Sequence, residues 1–340
     1  MGLRTSALLI LATLVAAAFA AACREERGAG ANALAELRGK TIGVVSLTDV
    51  STLETRYVLQ EAGGLDASQK GSTVTFVEVP PESLESELAS GKIDAAVMSP
   101  AGAYRLLSDD DFRVLSEVSK EMRRLTGGPV ASTVLLTYPD IAEQKPAALA
   151  ELDRLLAQSM VYYDANEEAV LAAIAADAGL DRAFLHWQAE RQELRLGDLS
   201  PETQERLLRT WQAAAALGDI DRVPDLATVL FAPTKQKAGG SPGGRVTVSV
   251  ALLDDAFRRA ALYAIEQQLI SSAEIDVDIT YLPPSALASA VTTKQYDVIE
   301  APALVLPTSA HEDIGFVVLS AGAADLGSSF LFVRGQPDAP

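Results

Sequence analysis

The spacing of hydrophobic positions predicts short buried strands that alternate with helices near the start of the chain. Residues 40–45 (KTIGVV) form a β-branched run typical of a buried strand, and a helix is expected to follow through about Glu61. Residues 73–79 and 93–98 repeat the strand pattern, and residues 82–89 between them have a helical pattern. This alternation predicts a parallel sheet with right-handed crossovers.

The same order of elements recurs in the last third of the chain. Strands are predicted at 246–252, 275–281 and 296–300, with helices at 255–269 and 284–291. The sequence itself is repeated, since VEVPPESL from Val77 and GKIDAAVM from Gly91 match ITYLPPSAL from Ile279 and KQYDVIEA from Lys294. Further strands, at 131–137 in the first set and at 316–320 and 328–333 in the second, complete each copy. Two similar half-domains that face each other predict a cleft with a ligand between them.

A helical region separates the two copies. Apolar residues recur at helical spacing in four segments: 147–163, 167–177, 182–190 and 201–217. Ser200 followed by Pro201 is typical of a helix N-terminus. Residues 235–244 (KQKAGGSPGG) are rich in Gly and predict a flexible linker before the second copy.

Composition narrows the class of protein. Hydrophobic residues make up 49% and charged residues 22% of the 340 residues, which is typical of a globular chain. The formal net charge of −18 predicts repulsion from phosphate backbones, so nucleic acid is not an expected partner. The chain has one cysteine and therefore no internal disulfide. A monomer is expected.

The start of the chain predicts export. Arg4 precedes an apolar run at 7–18 that is too short for a stable membrane span, and small residues then lead to Cys23. We expect a signal peptide at 1–22, a lipidated Cys23 and a polar tether at 23–33. This layout predicts a membrane-anchored lipoprotein of the periplasm or cell surface. An ordinary cleavage site with a chance cysteine beside it is the alternative.

Four segments together resemble one family. They are LRGKTIGV at 37–44, LASGKIDAAVM at 88–98, YYDANEEAVLAAIAADAGLD at 162–181 and LSPETQERL at 199–207. Their order is similar to that in ABC-transporter substrate-binding proteins for nitrate, sulfonates, taurine and thiamine precursors. The resemblance implies an α/β, type II periplasmic-binding-protein fold: two lobes, each with a mostly parallel sheet flanked by helices, and a ligand cleft between them.

The order of the lobes departs from that family. Family members begin with the lobe that comes last here, so a circular permutation is expected, and a truncated tandem is the rival interpretation. The predicted segments are lobe A at 34–138, return helices at 139–234, the linker at 235–244, lobe B at 245–335 and a tail at 336–340. Lobe A corresponds to the second lobe of the family and lobe B to its first.

Candidate ligand contacts follow from the rule that ligands bind at the carboxyl ends of strands in open α/β sheets. In the first copy this rule selects Ser46, Thr48, Ser51, Thr52, Ser99, Tyr104, Ser132 and Thr133. In the second copy it selects Asp254, Glu300, Ser328 and Ser329. Helix capping by Ser51 and Thr52, surface packing of Tyr104 and capping by Asp254 or Asp255 are the alternatives.

Glu300 is the most informative of these candidates. It ends a largely apolar strand, and a buried carboxylate is costly unless it is paired. The sequence therefore predicts either a cationic or amine-bearing ligand at Glu300 or a salt bridge to the opposite lobe. Arg258 and Arg259 lie within a helix and are expected on its solvated face.

Signatures of catalysis are weak. The only histidines, His186 and His311, lie far apart, and the chain contains no HExxH, GxSxG or phosphate-loop motif and no cysteine cluster. We therefore expect no catalytic residues, no metal and no cofactor. The family resemblance, together with the predicted lipoprotein signal, implies a solute-binding lipoprotein that delivers a small molecule, amine-bearing or sulfonate-like, to an ABC permease. The alternatives are an enzyme on the same fold and a ligand-sensing module without transport.

Overall fold

The structure, a computed structural model, describes residues 33–68, 73–232, 245–305 and 315–335. In these ranges the chain forms two five-stranded sheets, a two-stranded sheet and flanking helices, which confirms the predicted α/β class. The predicted signal peptide, Cys23, the linker, the tail, His311 and the tether apart from Ala33 lie outside the described residues. Among the helices of the described ranges, none has the length and apolar character needed to cross a membrane.

The five-stranded sheet A contains the parallel strands predicted in the first copy. Its order is β2 (Thr75–Glu78), β1 (Thr41–Val44), β3 (Ala95–Met98), β12 (Phe330–Arg334) and β4 (Phe112–Glu117). Strand β1 is parallel to β2 and β3, whereas β12 is antiparallel to β3 and β4. All four residues of β3 are buried, as expected for a parallel strand with helices on both faces.

The five-stranded sheet B has the same arrangement. Its order is β8 (Ile275–Leu282), β7 (Val246–Leu253), β9 (Val298–Pro302), β5 (Thr133–Thr137) and β10 (Val317–Ala321). Strand β7 is parallel to β8 and β9, and β5 is antiparallel to β9 and β10. In both sheets one antiparallel strand is inserted between the third and fourth strands of the copy, so the sequence repeat is also a structural repeat.

The inserted strands, β5 and β12, lie in the opposite sheets from those expected. The sequence places 131–137 in the first copy and 328–333 in the second. Strand β5 follows the first copy in sequence but pairs with β9 in sheet B, and β12 ends the second copy but lies between β3 and β4 in sheet A. Both are short, largely buried apolar runs, TVLLT and FLFVR, which suit either sheet. The sheet to which each strand belongs is therefore set by the strands it pairs with, which its own sequence does not specify.

The helices begin where the sequence chemistry favours it. In chain order they are α1 (Val50–Glu61), α2 (Pro81–Ser90), α3 (Pro100–Leu106), α4 (Val118–Thr126), α5 (Pro139–Gln144), α6 (Pro146–Ala178), α7 (Arg182–Ala189), α8 (Pro201–Ala216), α9 (Leu226–Val229), α10 (Ala256–Glu266) and α11 (Pro284–Thr293). Both Pro-Pro pairs of the repeat start a helix, α2 and α11, because proline suits the first helical turn.

The helical region keeps the predicted break between residues 163 and 167. The two helices expected at 147–163 and 167–177 are the two parts of α6, which kinks at Asn166, where φ −132 and ψ 20 are not helical. The Asn166 side chain donates to the carbonyl of Tyr162 at 2.8 Å and so satisfies that carbonyl at the bend. Strand β6 (Gln192–Leu194) then pairs with β11 (Ala323–Asp325) in the two-stranded sheet.

Helix α8 joins the two halves of the molecule. The indole of Trp211 is fully buried and donates to the carbonyl of Ala303 at 2.8 Å. Just after α8, the carboxylate of Asp219 accepts from both terminal nitrogens of Arg56 in α1, at 2.6 and 2.9 Å. One helix therefore contacts elements that flank both sheets.

Candidate ligand cleft

The carboxyl ends of the parallel strands in sheet A bring together candidates from distant parts of the chain. Because β12 is antiparallel, its first residue, Phe330, lies opposite Met98, the last residue of β3. The residues before β12 and those after β3 therefore share one edge, and the loop after β1 joins them. The predicted residues on or next to this edge are Ser46, Thr48, Ser51, Thr52, Ser99, Tyr104, Ser328 and Ser329.

Sheet B has an equivalent edge. The first residue of β5, Thr133, lies opposite Pro302, the last residue of β9. The loop after β7 reaches the same edge because β7 and β9 are parallel. The predicted residues there are Ser132, Thr133, Asp254 and Glu300.

Two crossovers join these edges and pair with each other. Residues 127–132 lead from α4 to β5, and residues 322–329 lead from β10 to β12. The N–H of Ser132 donates to the carbonyl of Ala323 at 2.8 Å, and Ala131 forms an antiparallel bridge with Ala324. The two edges are therefore joined by a two-stranded connection, an arrangement that suits hinge bending.

In the loop between β1 and α1, some of the predicted hydroxyl groups are buried in contacts within the protein, and others are accessible to a ligand. The fully buried Thr52 hydroxyl donates to the carbonyl of Ser46 at 2.6 Å and stabilises the turn. Ser51 offers its carbonyl to the hydroxyl of Thr55 at 2.8 Å. Ser46 and Thr48, whose hydroxyl oxygens are 3.0 Å apart, are the more accessible pair.

Asp49 was not selected from the sequence, although it lies in this loop. It precedes α1, yet its side chain makes no capping hydrogen bond. Burial, and secondarily the charge of Glu78, raise the pKa of Asp49 from 3.8 to about 6. Glu78 in turn accepts the N–H of Leu47 at 2.8 Å. This edge of sheet A therefore carries a carboxyl group that titrates close to neutral pH.

Ser99 and Tyr104 belong to the helix that follows β3. Ser99 is exposed and caps α3 by accepting the N–H of Gly102 at 3.4 Å. The Tyr104 ring packs against Phe184 and Trp187 of α7, with centroid distances of 5.4 and 5.5 Å. The contacts of Tyr104 are therefore those of a packed aromatic ring, which was the alternative to a ligand contact.

Helix α7 bridges the two halves at this point. Its Leu185 is buried in the core formed by sheet B, α6 and α10. On the other side, Trp187 stacks on Phe330 of sheet A at 6.2 Å and packs on that sheet's core. We call Tyr104, Phe184, Trp187 and Phe330 the aromatic clasp. It is a second contact between the two halves, beside the paired crossovers.

Ser328 and Ser329 are buried and already hydrogen-bonded. Asp325 accepts the N–H of Ser328 at 2.7 Å and the hydroxyl of Ser329 at 2.5 Å. The side-chain amide of Gln192 donates to the Ser328 hydroxyl at 3.2 Å. These groups order the start of β12, and direct contact with a ligand stays a prediction for them.

Sequence reasoning also missed Glu54, a buried acid near Asp325. It is 1% exposed, and neither carboxylate oxygen has a hydrogen-bond partner among the described residues. Burial, followed by the charge of Asp325, raises the pKa of Glu54 well above 4.5. The nearby hydroxyls of Ser329 and Ser119 lower the pKa of Glu54 and so offset part of this rise. Neither hydroxyl has the geometry of an ordinary hydrogen bond to the carboxylate. Its position midway between Val50 and Val58 on the apolar face of α1 was the available signal.

Glu300 has its counter-charge within its own lobe, in place of the predicted salt bridge to the opposite lobe, and its contact with a ligand stays a prediction. Its carboxylate accepts from Arg258 of α10 at 2.9 Å, from the Thr133 hydroxyl at 2.6 Å and from the N–H of Leu253 at 3.1 Å. Burial alone would raise the pKa of Glu300, but the charge of Arg258 and the hydrogen bonds from Arg258, Thr133 and Leu253 together outweigh burial and lower the pKa. Within the part of the chain that the structure describes, no ion pair of Glu300 reaches the opposite lobe. The expected exposure of Arg258 is wrong, because its side chain turns inward to this carboxylate and is 4% exposed.

The remaining candidates of sheet B lie nearer to solvent. Asp254 is exposed and pairs with Arg259 at 2.8 Å, while Asp255 caps α10 by accepting the N–H of Arg258 at 2.7 Å. Ser132 takes part in the crossovers through its main chain. The alternative of helix capping therefore fits Asp255.

A separate cavity of about 400 Å³ lies between α6, β6 and the first turn of α10. None of the predicted site residues lines it. Gly197 lines one wall with φ +71, and a Cβ there would lie 2.4 Å from the main-chain nitrogen of Ala157 in α6. The close approach of this wall to α6 therefore requires glycine.

Comparisons with known proteins were made by sequence and by structure. No family model matches the chain, and no curated protein matches it by sequence. Solved structures do match. The periplasmic aliphatic sulphonate binding protein SsuA from Escherichia coli is 13% identical with a TM-score of 0.31, covering 86% of this chain and 64% of its own. The ABC transporter substrate-binding protein CtaP from Listeria monocytogenes is 11% identical with a TM-score of 0.33, covering 76% and 55%.

A third similar structure is an ancestral amino acid-binding protein, a precursor of cyclohexadienyl dehydratase. It is 11% identical with a TM-score of 0.31, covering 88% of this chain and 85% of its own. This chain spans less than two thirds of the SsuA and CtaP chains. At such identities and TM-scores, no residue role is transferred from any of them.

Proposed function

We propose that this protein is an extracytoplasmic solute-binding protein that closes two lobes around a small molecule and delivers it to an ABC permease. The observation that carries the proposal is the pairing of the two crossovers, Ser132 with Ala323 and Ala131 with Ala324, between two sheets of identical order. Two short paired segments can bend while each sheet stays rigid. Closure would then bring the two carboxyl edges onto a ligand.

The accessible hydroxyls of Ser46, Thr48 and Ser99 on the edge of sheet A are the proposed first contacts. At the edge of sheet B, Glu300 is already neutralised by Arg258. Glu300 therefore does not serve as the counter-ion of an amine, and its proposed role is to hold the start of α10 against β9.

Export and anchoring belong to the same proposal. Cys23 follows the predicted signal peptide, and we propose that it carries the lipid that keeps the protein at the membrane. Cys23→Ala should move the protein from the membrane fraction to the soluble fraction after cell lysis. Retention of the variant in the membrane fraction would argue against a lipid anchor.

Native mass spectrometry tests the binding function. The protein from Arg24 onward, purified from its host without refolding, should carry a small molecule that is released on denaturation. Ser99→Trp fills the proposed cleft and should abolish this added mass. Ser90→Trp is the matched control, because Ser90 is exposed at the end of α2, just before the opposite end of β3.

Two outcomes would contradict the proposal. One is retention of the added mass in Ser99→Trp. The other is an empty protein whose melting temperature does not change with amines, sulfonates or pyrimidines. If the protein is empty and unaffected by these compounds, the alternative is a sensing module without transport, which predicts a partner protein other than a permease.

A further inference from the structure

The cavity beside α6 contains a buried hydroxyl with no partner. Tyr163 lines the cavity and is 6% exposed, and its hydroxyl has no hydrogen-bond partner in the described part of the chain. Its ring packs edge-on against Phe257, another lining residue, with centroids 6.1 Å apart. Buried polar groups are nearly always hydrogen-bonded, so this hydroxyl indicates a missing partner.

The charged residues around the cavity indicate whether the missing hydrogen-bond partner of Tyr163 is a cation or an anion. The lining residues include four carboxylates, at Asp164, Glu167, Glu193 and Asp198, and one guanidinium, at Arg195. Glu193 already pairs with Arg206 at 2.5 Å, and Asp198 accepts from the Thr203 hydroxyl at 2.6 Å. Asp164 and Glu167 are exposed at the rim and have no ion-pair partner among the residues that the structure describes. The field at the rim therefore favours a cation.

The rest of the lining is apolar. Met160, Leu194, Leu196 and Phe257 present hydrocarbon to the cavity. A volume of about 400 Å³ is within the usual range for a small-molecule pocket. A ligand that fits these walls has an alkyl body and one cationic end.

From this arrangement we infer that the cavity binds a small alkylammonium ion. Its ammonium lies between Asp164 and Glu167 and donates a hydrogen bond to the Tyr163 hydroxyl, while its alkyl chain contacts Met160 and Phe257. Burial, and then Glu167 and Asp164, raise the pKa of Tyr163, so the hydroxyl stays neutral and accepts this bond at neutral pH. The proposed cleft contacts Ser46, Thr48 and Ser99 do not line this site.

The test is a titration of the protein from Arg24 onward with pentylamine, followed by NMR. Pentanol and pentanesulfonate are the neutral and anionic ligands with the same alkyl chain. Pentylamine should bind more tightly than either, and more weakly as salt is added. Tyr163→Phe, which keeps the ring on Phe257, should weaken pentylamine about tenfold, because it removes a hydrogen bond to a charged group.

Glu167→Gln should also weaken pentylamine. Glu143→Gln is the matched control, because it makes the same change of charge at an exposed position of α5 outside the cavity. Equal binding of pentylamine and pentanol would overturn the inference. So would affinity that is unchanged in both Tyr163→Phe and Glu167→Gln. Ser99→Trp should leave pentylamine binding intact, which separates this site from the cleft.

Discussion

The guanidinium of Arg258 lies 2.9 Å from the carboxylate of Glu300, and the two side chains are 4% and 1% exposed. Arg258 also pairs with Asp255 at 2.5 Å, at the start of the same helix. A buried cluster of this kind costs desolvation free energy, which ion pairing and hydrogen bonding must offset. Its position links α10 to β9 beneath the carboxyl edge of sheet B.

The first prediction concerns this pair. Arg258→Met should lower the free energy of unfolding by about 3–5 kcal/mol, because it leaves the buried carboxylate of Glu300 without its charge partner. Glu300→Ala should lower it less, because Arg258 keeps its ion pair with Asp255. The double variant should lose less than the sum of the two. Urea denaturation of the four proteins in this cycle measures the coupling.

Arg259→Met is the control for that cycle. Arg259 is the next residue of α10, but its ion pair with Asp254 lies at the surface, where such pairs contribute at most about 1 kcal/mol. Additive losses in the Glu300 and Arg258 double variant would show that the two side chains do not stabilise the fold as a pair.

The second prediction concerns pH. The pKa of Glu54 is raised well above 4.5, so the folded protein keeps a proton that the unfolded chain releases as the pH rises past 4.5. The stability that this proton contributes is complete below pH 4.5 and is lost as the pH rises through the folded-state pKa. Glu54→Gln should therefore gain about 1 kcal/mol or more relative to wild type at alkaline pH, and little at acid pH.

Urea denaturation of both proteins across that pH range measures the difference. Asp49 and Asp153, whose pKa values are each raised to about 6, also make stability depend on pH. Their contribution is the same in wild type and Glu54→Gln, so it cancels when the two curves of unfolding free energy against pH are subtracted. Glu61→Gln, an exposed position at the end of the same helix, should leave the curve unchanged. A constant difference between Glu54→Gln and wild type at every pH would contradict a raised pKa.

The third prediction concerns the aromatic clasp. Tyr104→Ala removes the ring that packs on Phe184 and Trp187, so the ligand-free protein should open and its radius of gyration by small-angle X-ray scattering should increase. Tyr104→Phe keeps the ring and should scatter like wild type. Trp187 is one of two tryptophans, so its fluorescence should report the same opening. Identical scattering of Tyr104→Ala and wild type would mean that the clasp does not hold the halves together.

The fourth prediction follows from the proposal that the lobe order is a circular permutation. Gly335 donates to the carbonyl of Asp111 at 2.7 Å, and Glu36 pairs with Arg113 at 3.2 Å, so both ends of the described chain lie at the start of β4. A chain that runs from 245 to 335 and continues through a short glycine linker into 33 to 232 should fold with a similar melting temperature.

New termini within the buried first part of α6, after Leu155, provide the control and should destabilise the protein, because they interrupt a packed helix. The truncated-tandem interpretation predicts instead that residues 33–138 and 245–335 fold as separate proteins. The exchange of β5 and β12 between the sheets argues against this outcome. An unfolded rejoined chain would count against the permutation.

Much of the fold could be predicted locally. The β-branched run that became β1, the Pro-Pro starts of α2 and α11 and the Ser200 cap of α8 all appear where the sequence indicated them. Strand β4 was missed because FRVLSE has only intermediate or exposed positions. The DANEE segment at 164–168 interrupts the apolar pattern of α6, and the helix kinks there, at Asn166.

The candidate site was less accessible from sequence. Edge positions such as Ser46, Ser99 and Thr133 could be selected because strand ends are local features. The burial of Thr52 and the pairing of Glu300 with Arg258 depend on contacts across 6 and 42 residues, respectively. The Tyr163 cavity depends on α6, β6 and α10 packing together.

The sequence by itself determined the repeated strand and helix order, the acidic composition and the positions where helices begin. These follow from side-chain chemistry and spacing within one element. Tertiary structure alone decided that β5 and β12 exchange sheets, that Arg258 turns inward and that α7 bridges the halves through Tyr104 and Phe330. The physical reason is that an apolar strand or an amphipathic helix specifies which face is buried, whereas the partner that covers the face is selected by packing between distant parts of the chain.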